Sequence, residues 1–103
     1  MKKVESYAVG LIAEESGEVV QLCGKAIRFG IDTPHSVNGK RVSGIGNCRA
    51  ALQKECGDIM AAIDYAIERG VLSETGVMEQ RRLKLEKLLN PRSRDFLGRR
   101  LAP

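Results

Sequence analysis

The chain has no tryptophan, and only two tyrosines and two phenylalanines among its 103 residues. So few aromatics remove the stacking platform on which binders of single-stranded nucleic acid depend. Cysteine is sparse as well. Cys23, Cys48 and Cys56 are odd in number and form no Cys-x-x-Cys pair. With the lone His35 they match no zinc finger or ribbon, so buried free thiols in a reducing cytoplasm are the expected state. No uninterrupted apolar run follows Lys2 and Lys3, so neither a signal peptide nor a membrane span is expected. Strand-like alternation is missing over any useful length, and no internal repeat occurs. These absences leave one small all-α domain.

The charge that is present is unevenly placed. Residues 1–70 carry nine basic and nine acidic side chains, whereas residues 71–103 carry eight and four. The net charge of +4 therefore comes entirely from the C-terminal third. A uniform nucleic-acid-binding surface is not indicated.

Periodicity places a first helix over residues 3–29, with Val4, Ala8, Leu11, Val19, Leu22, Ala26 and Phe29 on one arc at about 100° per residue. Gly30 supplies the stop. Residues 30–46, rich in Gly, Ser, Pro and Asn, read as a long loop, and long loops in small domains are usually functional or mobile. A second helix is expected from the Asn47 cap to Arg69. A third is expected from Ser73 to Asn90, ended by Pro91. The domain is taken as residues 1–90 and the basic tail as residues 91–103. Gly10, Gly17 and Gly24 recur at seven-residue spacing, either permitting close approach of another backbone or a ligand, or simply tolerated as weak helix formers or marking a bend.

The stretch "EESGE" interrupts the apolar arc of the first helix. On a helical wheel Glu15 lies within the arc, Glu18 on its flank and Glu14 further out. The second helix repeats the anomaly. Ala51, Leu52, Ile59, Ala62, Ile63, Ala66 and Ile67 form its apolar arc, with Glu55 inside and Asp58 at one edge. Carboxylates three apart share a helical face, so each pair converges. Lys and Arg are scarce on these arcs. Four converging carboxylates would repel one another, and a hard divalent cation such as Mg²⁺ relieves that with oxygen ligands.

The pattern Glu-Glu-x-x-Glu followed by Glu-x-x-Asp, with "KAIRFG" after the first motif and "ECGDIMAAIDYAIERG" through the second, resembles the MazG-like superfamily. These are all-α nucleoside triphosphate pyrophosphohydrolases that include dimeric dUTPases. The resemblance covers about residues 5–90, and the long Gly-rich loop departs from the shorter members. It implies a helical hairpin plus a third helix, with a four-helix bundle completed by dimerisation or as a dimer of dimers. It implies Mg²⁺, with Mn²⁺ as a substitute, and hydrolysis of a nucleoside triphosphate to the monophosphate and pyrophosphate. By motif position Glu15, Glu18, Glu55 and Asp58 are the implied metal ligands. Glu14 would bind a second metal or orient the attacking water.

Basic groups are expected on the outer phosphates. Lys84 and Lys87 rank first because the family's third helix commonly supplies such lysines, and Lys25 and Arg28 follow. His35, Asn38 and Asn47 are loop polar groups considered for base or sugar contacts, but each reads more simply as structural or solvated. A different reading makes the carboxylates an intersubunit ion network in a non-catalytic interaction protein.

Overall fold

A computed structural model describes residues 1–33, 36–37, 40–41, 47–92, 94 and 97–99. Three helices dominate it: α1 (Lys3–Phe29), α2 (Cys48–Glu68) and α3 (Glu74–Leu89). The connection between α1 and α2 carries a two-residue antiparallel ladder, β1 (Ser36–Val37) against β2 (Lys40–Arg41), with Ser36 opposite Arg41. The all-α expectation holds, with helix bounds within a residue of those read from periodicity. His35 and Asn38 lie outside the described residues.

Caps explain where the helices begin and end. The Glu5 carboxylate accepts the Lys2 backbone N–H at 2.7 Å, satisfying one orphan donor at the start of α1. Asn47 caps α2, its Oδ1 accepting from the Ala50 N–H at 3.0 Å. That cap engages the Asn47 side chain, the third loop group considered for base or sugar. Ser73 caps α3 in the same way, accepting from Gly76 N–H at 3.1 Å.

The residues fall into two compact units, Met1–Val71 and Leu72–Pro103. The first is an antiparallel hairpin of α1 and α2. Its register is set by pairs whose numbers run in opposite directions. Tyr7 meets Tyr65, with ring centroids 5.8 Å apart, and the Arg49 N–H bonds the Ile31 carbonyl at 2.7 Å. The two ends of the long connection are pinned together. Cys48 N–H donates to the Thr33 carbonyl at 2.9 Å, and the Arg49 guanidinium grips both Asp32 oxygens at 2.9 and 3.2 Å. Loop closure thus falls on the first turn of α2 and fixes how that helix starts against α1.

The hairpin packs through small residues. Ala8, Leu22, Cys48, Ala51, Ala62 and Ala66 are its buried hydrophobic side chains, with Ala8 and Ala66 wholly enclosed. Val4 and Phe29, at the ends of the expected arc, are exposed. The 27-residue α1 is longer than the 21-residue α2. At Gly10, Gly17 and Gly24 no atom among the described residues lies within 4 Å of where a Cβ would sit, the helix's own backbone aside. Close approach within the hairpin is therefore not what these glycines provide.

The second unit contains α3 and the residues after it. Arg82 bridges Glu79 at 2.7 Å and Glu86 at 2.6 Å along one face of the helix. Met78, Leu83, Leu85, Leu88 and Leu89 are exposed. Arg94 donates to the Gly98 carbonyl at 2.9 Å.

The enclosed alanines make a direct test of the packing. Ala66→Leu forces extra methyl groups into a filled seam, and a loss of about 1–3 kcal/mol is expected by urea denaturation. An unchanged midpoint would mean that the helices are not held at this spacing.

Candidate metal centre

The register of the hairpin brings both interrupted arcs to one place. Glu15 and Glu18 come from successive turns of α1, and Glu55 and Asp58 from successive turns of α2. One carboxylate oxygen from each lies within 4.8 Å of the others. All four residues are partly buried, and the Glu55 side chain is only 16% exposed. The wheel placed these side chains on the inner arcs, and the structure brings those four together.

The cluster is short of positive charge. Lys54 supplies one ammonium, 2.9 Å from Asp58 and 3.5 Å from Glu55. When all are ionised, these four carboxylates and the Lys54 ammonium sum to a formal charge of −3. Lys54 was not anticipated from the sequence, although its i,i+4 spacing to Asp58 is the signal that identifies it. It lies outside the apolar arc and its own side chain is 61% exposed, so it reaches the cluster from the rim.

Two oxygens in the cluster have no partner. Glu15 Oε2 and Glu55 Oε2 are both shielded from solvent and accept no hydrogen bond among the described residues. A shielded carboxylate oxygen with nothing to bond is costly, and a cation, a water or a shared proton would each relieve that cost. Hard oxygen donors of this kind suit Mg²⁺ or Mn²⁺ rather than a soft metal. The residues present therefore fit the expected ion.

Repulsion is also visible in the protonation of Glu18. Its carboxyl is pushed up to about 7 from the usual 4.5. The largest cause is a hydrogen bond with Glu55, followed by the charge of Glu55, partial burial, and the charges of Glu15 and Glu14. Glu14 itself is exposed and stands outside the four-residue cluster, acting on it through its charge.

The expected phosphate groups occupy two settings. Lys25 is partly buried on α1, two turns beyond Glu18. Arg28 is exposed, with its guanidinium 5.0 Å from the Phe29 ring centroid. Lys84 and Lys87 are exposed on α3, in the second unit.

A second feature adjoins the carboxylates. Tyr7, Leu11, Glu15, Asp58, Ala61, Ala62 and Tyr65 line an open cleft of about 400 Å³ along the α1–α2 seam. The two tyrosines were not singled out from the sequence. Tyr65 lies seven residues after Asp58, close to two whole turns, and Tyr7 eight before Glu15, about 80° past two turns. Their meeting, however, depends on the cross-helix register.

The raised Glu18 carboxyl gives a stability prediction. The folded, metal-free protein holds this proton more tightly than the unfolded chain does. The favourable contribution is full below about pH 4.5 and is lost as pH rises to about 7. With a chelator present, Tm should fall across that window, while Glu18→Gln should flatten the slope and Mg²⁺ should restore Tm at pH 7. Thermal melts followed by circular dichroism read all three, and a flat metal-free profile would contradict the repulsion. No family model matches the chain, and no curated protein or solved structure matches it. The functional reading therefore rests on the sequence motifs and their resemblance together with the geometry of the cluster.

Proposed function

We propose that Glu15, Glu18, Glu55 and Asp58 hold Mg²⁺, or Mn²⁺ in its place, and that the protein hydrolyses a nucleoside triphosphate to the monophosphate and pyrophosphate. The observation that supports this most strongly is the pair of shielded, unpartnered oxygens on Glu15 and Glu55. They lie inside a cluster whose formal charge a single lysine does not neutralise. When bound, the cation supplies Lewis-acid neutralisation of the triphosphate's charge.

The chain's own residues have distinct tasks in this scheme. The two α1 glutamates and the two α2 carboxylates set the donor geometry from opposite sides of the seam. Lys54 holds Asp58 in place from the rim. A carboxylate takes the proton of the water that attacks the α-phosphorus in line, and pyrophosphate leaves. Glu15 is the inner ligand assigned that task by its position in the motif. Glu14, beside it and exposed, serves either a second metal or the orientation of the water. Lys25 and Arg28, on α1 with two of the cluster's carboxylates, are the proposed partners of the outer phosphates. A dNTP or a non-canonical nucleotide in the cytoplasmic pool is the substrate class.

Oligomerisation belongs to the same proposal. The hairpin supplies two helices and leaves Val20, Ile27, Phe29 and Met60 exposed. A second copy would complete a four-helix bundle. No helix among the described residues is long and apolar enough to cross a membrane.

The Lys54 contacts favour one other reading, a non-catalytic interaction protein with a carboxylate ion network. Calorimetry separates the two. A network binds no divalent cation, whereas the proposed site loses its Mg²⁺ heat in Glu55→Gln.

The central test is a nucleotide panel with Mg²⁺, with products resolved. Pyrophosphate release is expected for at least one (d)NTP. Glu15→Gln and Asp58→Asn should lower it by about 100-fold or more, because several kcal/mol of charge stabilisation are at stake. Full activity in these folded variants, or no cleavage across the panel, would defeat the assignment. Sedimentation at micromolar concentration should give a dimer or tetramer, and a monomer would remove the bundle from the proposal.

A further inference from the structure

We infer that the cleft beside the carboxylates receives the base of the nucleotide, and that Tyr7 and Tyr65 are the residues that set its affinity for that base. The inference rests on the metal–phosphate reading above and adds where the rest of the substrate goes.

The cleft is continuous with the cluster, since Glu15 and Asp58 belong to both. A ligand whose phosphates meet those carboxylates has its remaining atoms directed along the seam. There the lining changes from charge to apolar surface: Leu11, Ala61 and Ala62, then the two tyrosines. Its volume, about 400 Å³, lies within the range of small-molecule sites, roughly 300–1,000 Å³. The alanines keep the floor low, which leaves room for a ring rather than for a side chain of the protein itself.

The aromatic end suits a flat conjugated group. The Tyr7 and Tyr65 rings stand at 77° with centroids 5.8 Å apart. A T-shaped pair offers both a ring face and a ring edge, and a third ring can stack on one while meeting the other. Tyr65 is held from outside the cleft. The Arg69 guanidinium lies over its ring at 5.3 Å, and Arg69 is not among the lining residues. Tyr7 is 59% exposed, a large aromatic surface left for a partner. Stacking against these rings selects for a base without reading its hydrogen-bonding edge, so the cleft predicts broad tolerance among bases.

The composition of the chain provides an unusually clean probe. Tyr7 and Tyr65 are its only tyrosines, and it has no tryptophan. Every tyrosine ring signal in an NMR spectrum therefore reports on this cleft. Deoxynucleoside α,β-imidotriphosphates, which resist cleavage at the α-phosphorus, are titrated with Mg²⁺ into protein carrying labelled tyrosine. Both ring resonances should shift and saturate together, while inorganic tripolyphosphate with Mg²⁺ should leave them nearly unmoved. In kinetics, Tyr65→Leu and Tyr7→Leu should raise KM for the nucleotide by about tenfold or more with kcat little changed. Ala61→Leu should do the same, because Ala61 lines the cleft yet is exposed, so a leucine there narrows the cleft without entering the core. Mg²⁺ binding by calorimetry should be unaltered in all three.

Turnover with unmoved tyrosine signals and unchanged KM values would overturn the cleft assignment and leave the reaction standing. Saturable shifts without turnover would support the cleft and overturn the reaction. Shifts that follow protein concentration instead of nucleotide would show a second copy covering the cleft, and would overturn it. The absence of both binding and turnover would overturn both.

Discussion

Unbalanced negative charge in the seam between α1 and α2 is the constraint on which the rest of the structure turns. An ordinary two-helix contact would fill those positions with leucine or alanine and gain stability. Here Glu15, Glu18, Glu55 and Asp58 occupy them, with one ammonium at the rim. The hairpin tolerates this partly by protonation, as the raised Glu18 carboxyl shows, and partly by leaving one side of the cluster toward solvent. No basic or backbone donor among the described residues reaches the shielded Oε2 atoms of Glu15 and Glu55. A cost of this kind, kept in a small domain with little stability to spare, points to a function that needs the charge.

The small-residue core follows from the same requirement. Carboxylates on two helices converge only if the backbones come near each other and stay in register. Ala8, Ala51, Ala62 and Ala66 permit the approach. The Asp32–Arg49 grip and the Cys48–Thr33 and Arg49–Ile31 backbone bonds hold the register at one end, and the tyrosine pair holds it at the other. Among the described residues no large side chain is fully buried, so the hairpin contributes geometry more than hydrophobic stabilisation. That thinness is a physical reason to expect further surface to be covered by another copy.

Much of this was legible in the sequence because it depends on single-helix periodicity. Helix ends were announced by Gly30, Asn47, Ser73 and Pro91, and the four inner carboxylates stood out as charges on apolar arcs. Features created between helices were not. Lys54 belongs to no apolar arc and matters only because Asp58 lies one turn away. Tyr7 and Tyr65 are 58 positions apart and become a pair only once the register is known. The Asp32–Arg49 contact closes a loop whose length gave no hint of where its ends meet. The seven-residue glycine spacing suggested close packing, yet within the hairpin those positions face open space. A wheel reports which side a residue occupies but not what stands opposite.

The seam therefore has an order along its length that follows from antiparallel packing alone. Moving toward the N-terminus of α1 is moving toward the C-terminus of α2. One direction passes from Glu18 and Glu55 through Glu15 and Asp58, past Leu11 and Ala62, to Tyr7 and Tyr65. Charge comes first, then small apolar surface, then aromatic surface. A nucleotide has the same sequence of chemistry from its phosphates through its sugar to its base. Two helices that had only to hold a cation would need the first part of that order. On the proposed reading, the tyrosines at its far end are what would distinguish a site for a whole substrate from a site for an ion.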